Sequence, residues 1–268
     1  MIMSGRLQID KLILGYRQRT ILRDVSTIIP DARFTAIVGA NGCGKSSLLR
    51  AIVNLVPLAG GAIRLDGGAV STMRPRDLAR RIALLPQSPI TPDGIIVREL
   101  VARGRFAWQA RYFRDSGADA KVIDEALELT GMTLLSEAPL SELSGGQRQR
   151  AWISMVLAQQ TPILLLDEPT SFLDIAHQVE LMELLVFLRS IGKTIIAVLH
   201  DINQASRYAD HLIALGDGGL AASGAPQEIV DASFIHRLFG LECVVIPDPV
   251  AGSPMAVASS RIIEKGAI

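Results

Sequence analysis

The stretch Phe34-Thr35-Ala36-Ile37-Val38-Gly39-Ala40-Asn41-Gly42-Cys43-Gly44-Lys45-Ser46-Ser47 decides how this chain is read. Phe34 to Val38 is a short apolar run with three β-branched residues, as a buried strand requires. Gly39, Gly42 and Gly44 then turn the chain into Leu48-Leu49-Arg50-Ala51-Ile52, which has helical spacing. Gly39, Gly44, Lys45 and Ser46 fall at the spacing of a phosphate-binding loop between a strand and a helix. Across Asn41, Gly42 and Cys43 the backbone N–H groups can curl toward an anion, and the helix start adds the positive end of its dipole. Lys45 is spaced to reach β- and γ-phosphates, and the Ser46 hydroxyl to ligate Mg²⁺.

Composition narrows the class. The 268 residues suffice for one large domain or two small ones, and 49% apolar with 20% charged residues is ordinary for a globular protein. Lys plus Arg and Asp plus Glu both number 27, so charge gives no argument for a nucleic-acid partner. No apolar run approaches the length of a membrane span, and the N-terminus lacks a signal layout. Cys43 and Cys243 lie far apart, which favours a reducing cytoplasm over a disulfide framework. A cysteine at a helix start can have a lowered pKa, but Cys43 reads first as a small residue that fits its loop.

Upstream, Leu7 to Tyr16 and Ile21 to Ile29 alternate as antiparallel strands with one wet face. Tyr16 is either a half-buried strand aromatic or a platform that stacks on a base. Ala62 to Asp66 is a further strand, Arg76 to Arg81 a short helix, and Ile82 to Pro86 a buried strand that delivers Gln87 to a ligand-contacting position or an ordinary loop. From Ser88 to about Gln160 the pattern turns helical, with Val97 to Arg105 and Ala118 to Leu129 at helical spacing, which implies an inserted α-helical subdomain. Its end carries Leu143-Ser144-Gly145-Gly146-Gln147, a second capped helix N-terminus suited to an anion.

Ile163 to Leu166 is a buried strand ending in Asp167-Glu168. Asp167 is placed to support Mg²⁺, and Glu168 to polarise a water for attack on phosphorus. After an amphipathic helix over Ile175 to Leu188, Lys193 to Leu199 is a buried strand ending at His200, which can donate to a phosphate oxygen. His177, His211 and His236 read as surface or packing residues. The remainder reads as a strand at His211 to Leu215, a short helical pair over Pro226 to Phe239, and a strand-like tail.

In this order the motifs resemble the ATP-binding-cassette (ABC) ATPases over nearly the whole chain, with Leu143 to Gln147 as the signature sequence. The resemblance implies one ABC ATPase domain over 1–268: an α/β phosphate-loop NTPase (RecA-like) core with an N-terminal antiparallel β subdomain. Residues 1–88 and 161–240 would form that core, 89–160 the α-helical insertion and 241–268 a C-terminal extension. It implies a head-to-tail homodimer, with each ATP on one phosphate loop and beneath Ser144, Gly145 and Gly146 of the other subunit. Tyr16 would stack on adenine, while Lys45, Ser46 and Ser47 contact phosphates and Mg²⁺. Gln87 would sense Mg²⁺ and the attacking water; Asp167 supports the metal, Glu168 is the general base, His200 the γ-phosphate switch, and Asp174 lies on the loop crossing the seam. Ser47 stands where many relatives have Thr, and Ala32 replaces a common turn glycine, so that turn is expected to avoid positive φ.

A narrower resemblance, to the ATPases of ferric-siderophore importers of the ferric enterobactin and ferric citrate types, rests on four stretches. These are Arg80 to Gln87, Val97 to Arg105, Leu199 to Ala205 and Asp248 to Pro254. It implies integral membrane permease subunits, a substrate-binding protein acting indirectly, and a peripheral location on the cytoplasmic face of the inner membrane. The permease would dock beside Gln87 and the segment Thr91 to Trp108. Vitamin B12 and haem importers share this general plan, and a soluble ABC ATPase without a transport role is a further alternative. A DNA-repair ATPase would need a long coiled-coil insertion that is absent here.

Overall fold

The computed structural model describes residues 5–16, 19–109, 117–171 and 173–259. Its largest sheet has six strands in the order β10-β9-β3-β8-β7-β6. These are β3 (Phe34–Gly39), β6 (Ile82–Leu85), β7 (Ile163–Asp167), β8 (Thr194–Val198), β9 (His211–Gly216) and β10 (Gly219–Gly224). All pair in parallel except β10, which runs antiparallel to β9. A second, antiparallel sheet has the order β2-β1-β4-β5, from β1 (Leu7–Tyr16), β2 (Arg19–Ile29), β4 (Gly60–Leu65) and β5 (Gly68–Ala69).

The parallel strands are apolar throughout because both their faces are covered. Phe34, Ala36 and Val38 of β3 pack into one core with the helices described below, while Ile37 packs into another. That second core holds Leu48, Leu49 and Ile52 of α1 (Lys45–Ile52) against Leu12, Leu14 and Leu22 of the antiparallel sheet. The helix leaving the phosphate loop is therefore clamped between two sheets, which fixes the direction of its N-terminus.

Strand β1 shows how a phase skip is accommodated. Leu7, Ile9, Leu12 and Leu14 are all buried although their spacing changes parity between Ile9 and Leu12. A register shift falls there, with Lys11 at φ 45°, so the bulge restores the apolar face.

After α2 (Pro75–Ala79), the helical segment comprises α3 (Val97–Arg103), α4 (Gly117–Leu129) and α5 (Gly145–Ala158), which pack on one another. The expected helix to Arg105 stops at Arg103 and continues as a 3₁₀ turn over Gly104–Ala107. Gly104 lies so close to α5 that a Cβ there would sit 2.2 Å from the Met155 carbonyl oxygen. Arg105 then anchors the turn, pairing with Asp119 at 2.7 Å and donating to the Ala158 carbonyl at 2.9 Å.

The remaining elements are α6 (Ile175–Ser190), α7 (Ile202–Tyr208), α8 (Pro226–Ile229), α9 (Ala232–Phe239) and a hairpin of β11 (Cys243–Pro247) and β12 (Pro254–Ala258). The hairpin docks on α7 through Asn203, whose amide donates to and accepts from Ala256 at 3.0 and 2.8 Å. Residues 260–268 of the expected C-terminal extension lie outside the described residues.

The turn at Ala32 corrects the sequence expectation, because Ala32 has φ 51°. Its N–H donates to Thr194 Oγ1 at 2.9 Å, and that hydroxyl donates to Asp31 Oδ1 at 2.8 Å. This bracket to β8 holds a left-handed residue that costs about 1–2 kcal/mol for a side chain with Cβ.

Candidate nucleotide site

The carboxyl ends of the adjacent strands β3, β8, β7 and β6 deliver, in that spatial order, the phosphate loop, His200, Asp167-Glu168 and Gln87. Open α/β sheets bind ligands in that position. Around the loop lies an open cleft of about 370 Å³, lined by Lys45, Ser46, Ser47, Gln87, Glu168 and His200 among others. The sequence separates these residues by up to 155 positions, counted from Lys45 to His200; the sheet order brings them together.

The loop needs its glycines. Gly39 has φ 149°, and a Cβ there would lie 2.2 Å from the Leu215 carbonyl oxygen of β9. Asn41 and Gly42 are exposed at the lip of the cleft, and Gly44 caps α1 with φ 107°. Lys45 is buried, with Nζ donating to the carbonyls of Gly39 and Ala40 at 2.8 and 2.9 Å. Cys43 is half-buried and unpaired by disulfide. Burial raises its thiol pKa, outweighing the lowering by Lys45 and running counter to the lowering expected of a helix start.

Two carboxylates end β7 with different surroundings. Asp167 is 2% exposed and accepts from Ser46 Oγ at 2.8 Å through Oδ1. Burial raises its pKa first, with Glu168 adding repulsion, against lowering by Ser46, Arg50 and Lys45. Glu168 sits at φ 53°, a left-handed backbone that costs about 1–3 kcal/mol for such a residue. The reversal aims its carboxylate at three groups. Gln87 Nε2 donates to Oε2 at 2.6 Å, Ser171 Oγ donates to Oε2 at 3.2 Å, and His200 Nε2 lies 2.7 Å from Oε1. A carboxylate held in this way can take a proton from a water in the cleft without moving.

Not every expected residue converges here. Ser144 caps α5, its Oγ accepting from Gln147 N–H at 3.2 Å while Gln147 Oε1 accepts from Ser144 N–H at 3.0 Å. Ser144 and Gly145 are exposed, and with Gly146 and Gln147 they are absent from the lining of the cleft. Asp174 caps α6, its Oδ1 accepting from His177 N–H at 2.9 Å and contacting His177 Nδ1 at 2.8 Å, also outside the cleft. His177 is thus bound to an expected site residue, and a Cβ on Gly146 would lie 3.8 Å from its ring. The side chain of Tyr16 lies outside the described residues, as does Phe172. Ile21, read only as strand, lines the cleft, and Ser171 supports Glu168; neither carried a sequence signal.

A phosphate loop facing a carboxylate pair across parallel strand ends defines a nucleoside-triphosphate hydrolase of the α/β phosphate-loop class. The family model described as "ABC transporter" matches residues 22–171, and the chain belongs to that family. It is an ABC-type ATP hydrolase. It is 51% identical over 258 residues to the ferric enterobactin transport ATP-binding protein FepC of Escherichia coli (strain K12), covering 96% of this chain and 95% of that protein. It is 44% identical over 252 residues to the achromobactin transport ATP-binding protein CbrD of Dickeya dadantii (strain 3937), covering 94% of each. The dimeric structure of MJ0796, a bacterial ABC transporter cassette, superposes with a TM-score of 0.73 at 26% identity, covering 82% of this chain and 98% of that one.

Proposed function

We propose that this chain is the ATP-binding and hydrolysing subunit that energises import of a ferric siderophore through a separate membrane permease. The observation that carries the ATPase half is Glu168 held between Gln87 and His200 above the phosphate loop. The phosphates of ATP lie along Gly39, Asn41, Gly42, Cys43 and Gly44 and against Lys45, Ser46 and Ser47, with adenine on Tyr16. Glu168 takes a proton from water as its oxygen bonds to the γ-phosphorus and the bond to ADP breaks; His200 steadies the γ-phosphate.

The Ser46 hydroxyl on the buried Asp167 is a hard-oxygen pair, and no cluster of three or more metal-ligating side chains occurs among the described residues. That donor set fits Mg²⁺, which takes most of its ligands from water and phosphate. Ser46, Asp167 and Gln87 would hold the ion, which supplies neutralisation of phosphate charge.

In the proposed assembly two copies pair head to tail. The exposed start of α5 at Ser144, with Gly145, Gly146 and Gln147, completes the partner's ATP site, and Asp174 lies at the seam. This explains why a second anion-suited helix N-terminus stands outside the cleft. The dimer works at the cytoplasmic face of the inner membrane, with cargo delivered by a substrate-binding protein it does not touch. No helix among the described residues is long and apolar enough to cross a membrane, so the pathway is assigned to the permease. Phe106 is 81% exposed beside a surface hollow lined by Glu99, Ala102 and Arg103, which supports Thr91 to Trp108 as the docking face.

Cargo class rests on the relatives, named for ferric enterobactin and achromobactin, and on the four stretches quoted from the sequence. The test is ⁵⁵Fe uptake in a strain lacking the gene, offering ferric catecholate, ferric citrate and ferric hydroxamate. Uptake of one chelate is expected to vanish and to return only with the wild-type copy. Unchanged uptake of all three would refute the siderophore reading and direct attention to vitamin B12 or haem.

A further inference from the structure

We propose that Gln204 and Gln178 form an amide relay that positions Glu168 and His200 relative to the loop ending at Asp174. The inference rests on the reading of Glu168 as the water-activating group. Neither glutamine lines the nucleotide cleft, so both are positioning residues.

Helix α7 begins two residues after His200, with Asp201 as its cap, accepting from Asn203 and Gln204 N–H at 2.7 and 3.3 Å. From that first turn Gln204 Nε2 donates to Gln178 Oε1 on α6 at 2.6 Å. Gln178 Nε2 donates in turn to the Leu173 carbonyl at 3.0 Å, and more distantly to that of Thr170 at 3.4 Å. Between those carbonyls Ser171 Oγ reaches Glu168 Oε2, and Glu168 Oε1 meets His200. The contacts close a ring: His200, α7, Gln204, Gln178, the loop, Glu168 and back to His200.

The chemistry requires amides. Gln178 must accept on one side and donate on the other, which neither a carboxylate nor a hydrocarbon chain of that length does. The Leu173 carbonyl fixes the orientation, because turning the Gln178 amide over would set two oxygens face to face. Both side chains are half-buried, so a broken link leaves polar groups without full replacement by water. The strained backbone at Glu168 needs such over-determination to persist. One residue earlier on α7, Asn203 is bonded to the backbone of Ala256 in the C-terminal hairpin. The helix that follows His200 is therefore held between the hairpin and the loop.

The test uses the purified full-length chain with Gln204→Met, Gln178→Met and the double variant. Each substitution keeps length and charge and removes the relay. The expected result is a roughly ten-fold loss of kcat with KM for ATP close to wild type and only a small fall in melting temperature. The double variant should lose no more than Gln178→Met alone, because that change already removes both the Gln204 contact and the contacts to the loop carbonyls. Wild-type kcat in the single variants, multiplying losses in the double, or a loss confined to KM or to thermal stability would overturn the relay. A Glu168→Gln control separates the two readings. If that variant is inactive while the relay variants are normal, only the relay fails; if it hydrolyses ATP normally, the parent reading fails.

Discussion

Glu168→Gln is expected to lower ATP turnover by about 10²–10⁴-fold, the usual contribution of a positioned base, while ATP still binds. The substitution preserves what holds the side chain in place. An amide oxygen still accepts from Gln87 Nε2 and Ser171 Oγ, the two donors now at 2.6 and 3.2 Å from Oε2. The amide nitrogen can face His200, which lies 2.7 Å from Oε1. Shape, burial and the reversed backbone are therefore retained, while the negative charge and with it the capacity to take a proton are lost. Lys45 and the loop are untouched, so nucleotide affinity should change little. Hydrolysis at the wild-type rate would remove Glu168 as the base, and steady-state phosphate release measured beside ATP affinity makes the distinction.

Lys45→Ala is expected to fail earlier, at binding. Lys45 is 5% exposed, and its ammonium is already oriented by the carbonyls of Gly39 and Ala40, at 2.8 and 2.9 Å. It can turn toward a phosphate oxygen without crossing solvent. A hydrogen bond to a charged group contributes about 1.5–3 kcal/mol, and each 1.4 kcal/mol is ten-fold in affinity, so ATP should bind roughly ten- to hundred-fold more weakly. Loss of the side chain also strips two loop carbonyls of their donor, so a melting curve without nucleotide is needed beside the titration. Unchanged ATP affinity would count against the phosphate-loop assignment.

Much of the core and the cleft was legible because the chemistry sits at the ends of buried strands. Apolar runs at Ile82, Ile163 and Thr194 lead to polar residues and that at Phe34 to the glycine-rich loop, and parallel strands place such ends on one edge. The bulge in β1 went unread in a segment that reads as plain alternation, although the skipped phase between Ile9 and Leu12 marks it. Strand β10 was missed because Gly219–Gly224 has no β-branched or aromatic residue, and its place comes from pairing with β9. Positive φ at Ala32 and Glu168 could not be read, since brackets from Thr194, Gln87 and Ser171 override local preference. The Gln178–Gln204 contact was equally hidden: it depends on how α6 and α7 lie in space.

In the proposed assembly ATP is shared between two copies, each offering the start of α5 to the other's cleft. The direct measurement is sedimentation of the Glu168→Gln protein with and without ATP, repeated with Ser144→Arg added. Ser144 is an exposed cap, so a long cation there should leave the monomer folded and ATP binding intact. The expected result is a dimer with ATP in the first protein and a monomer with ATP bound in the second. ATP-driven dimerisation of equal strength in both would contradict the shared site.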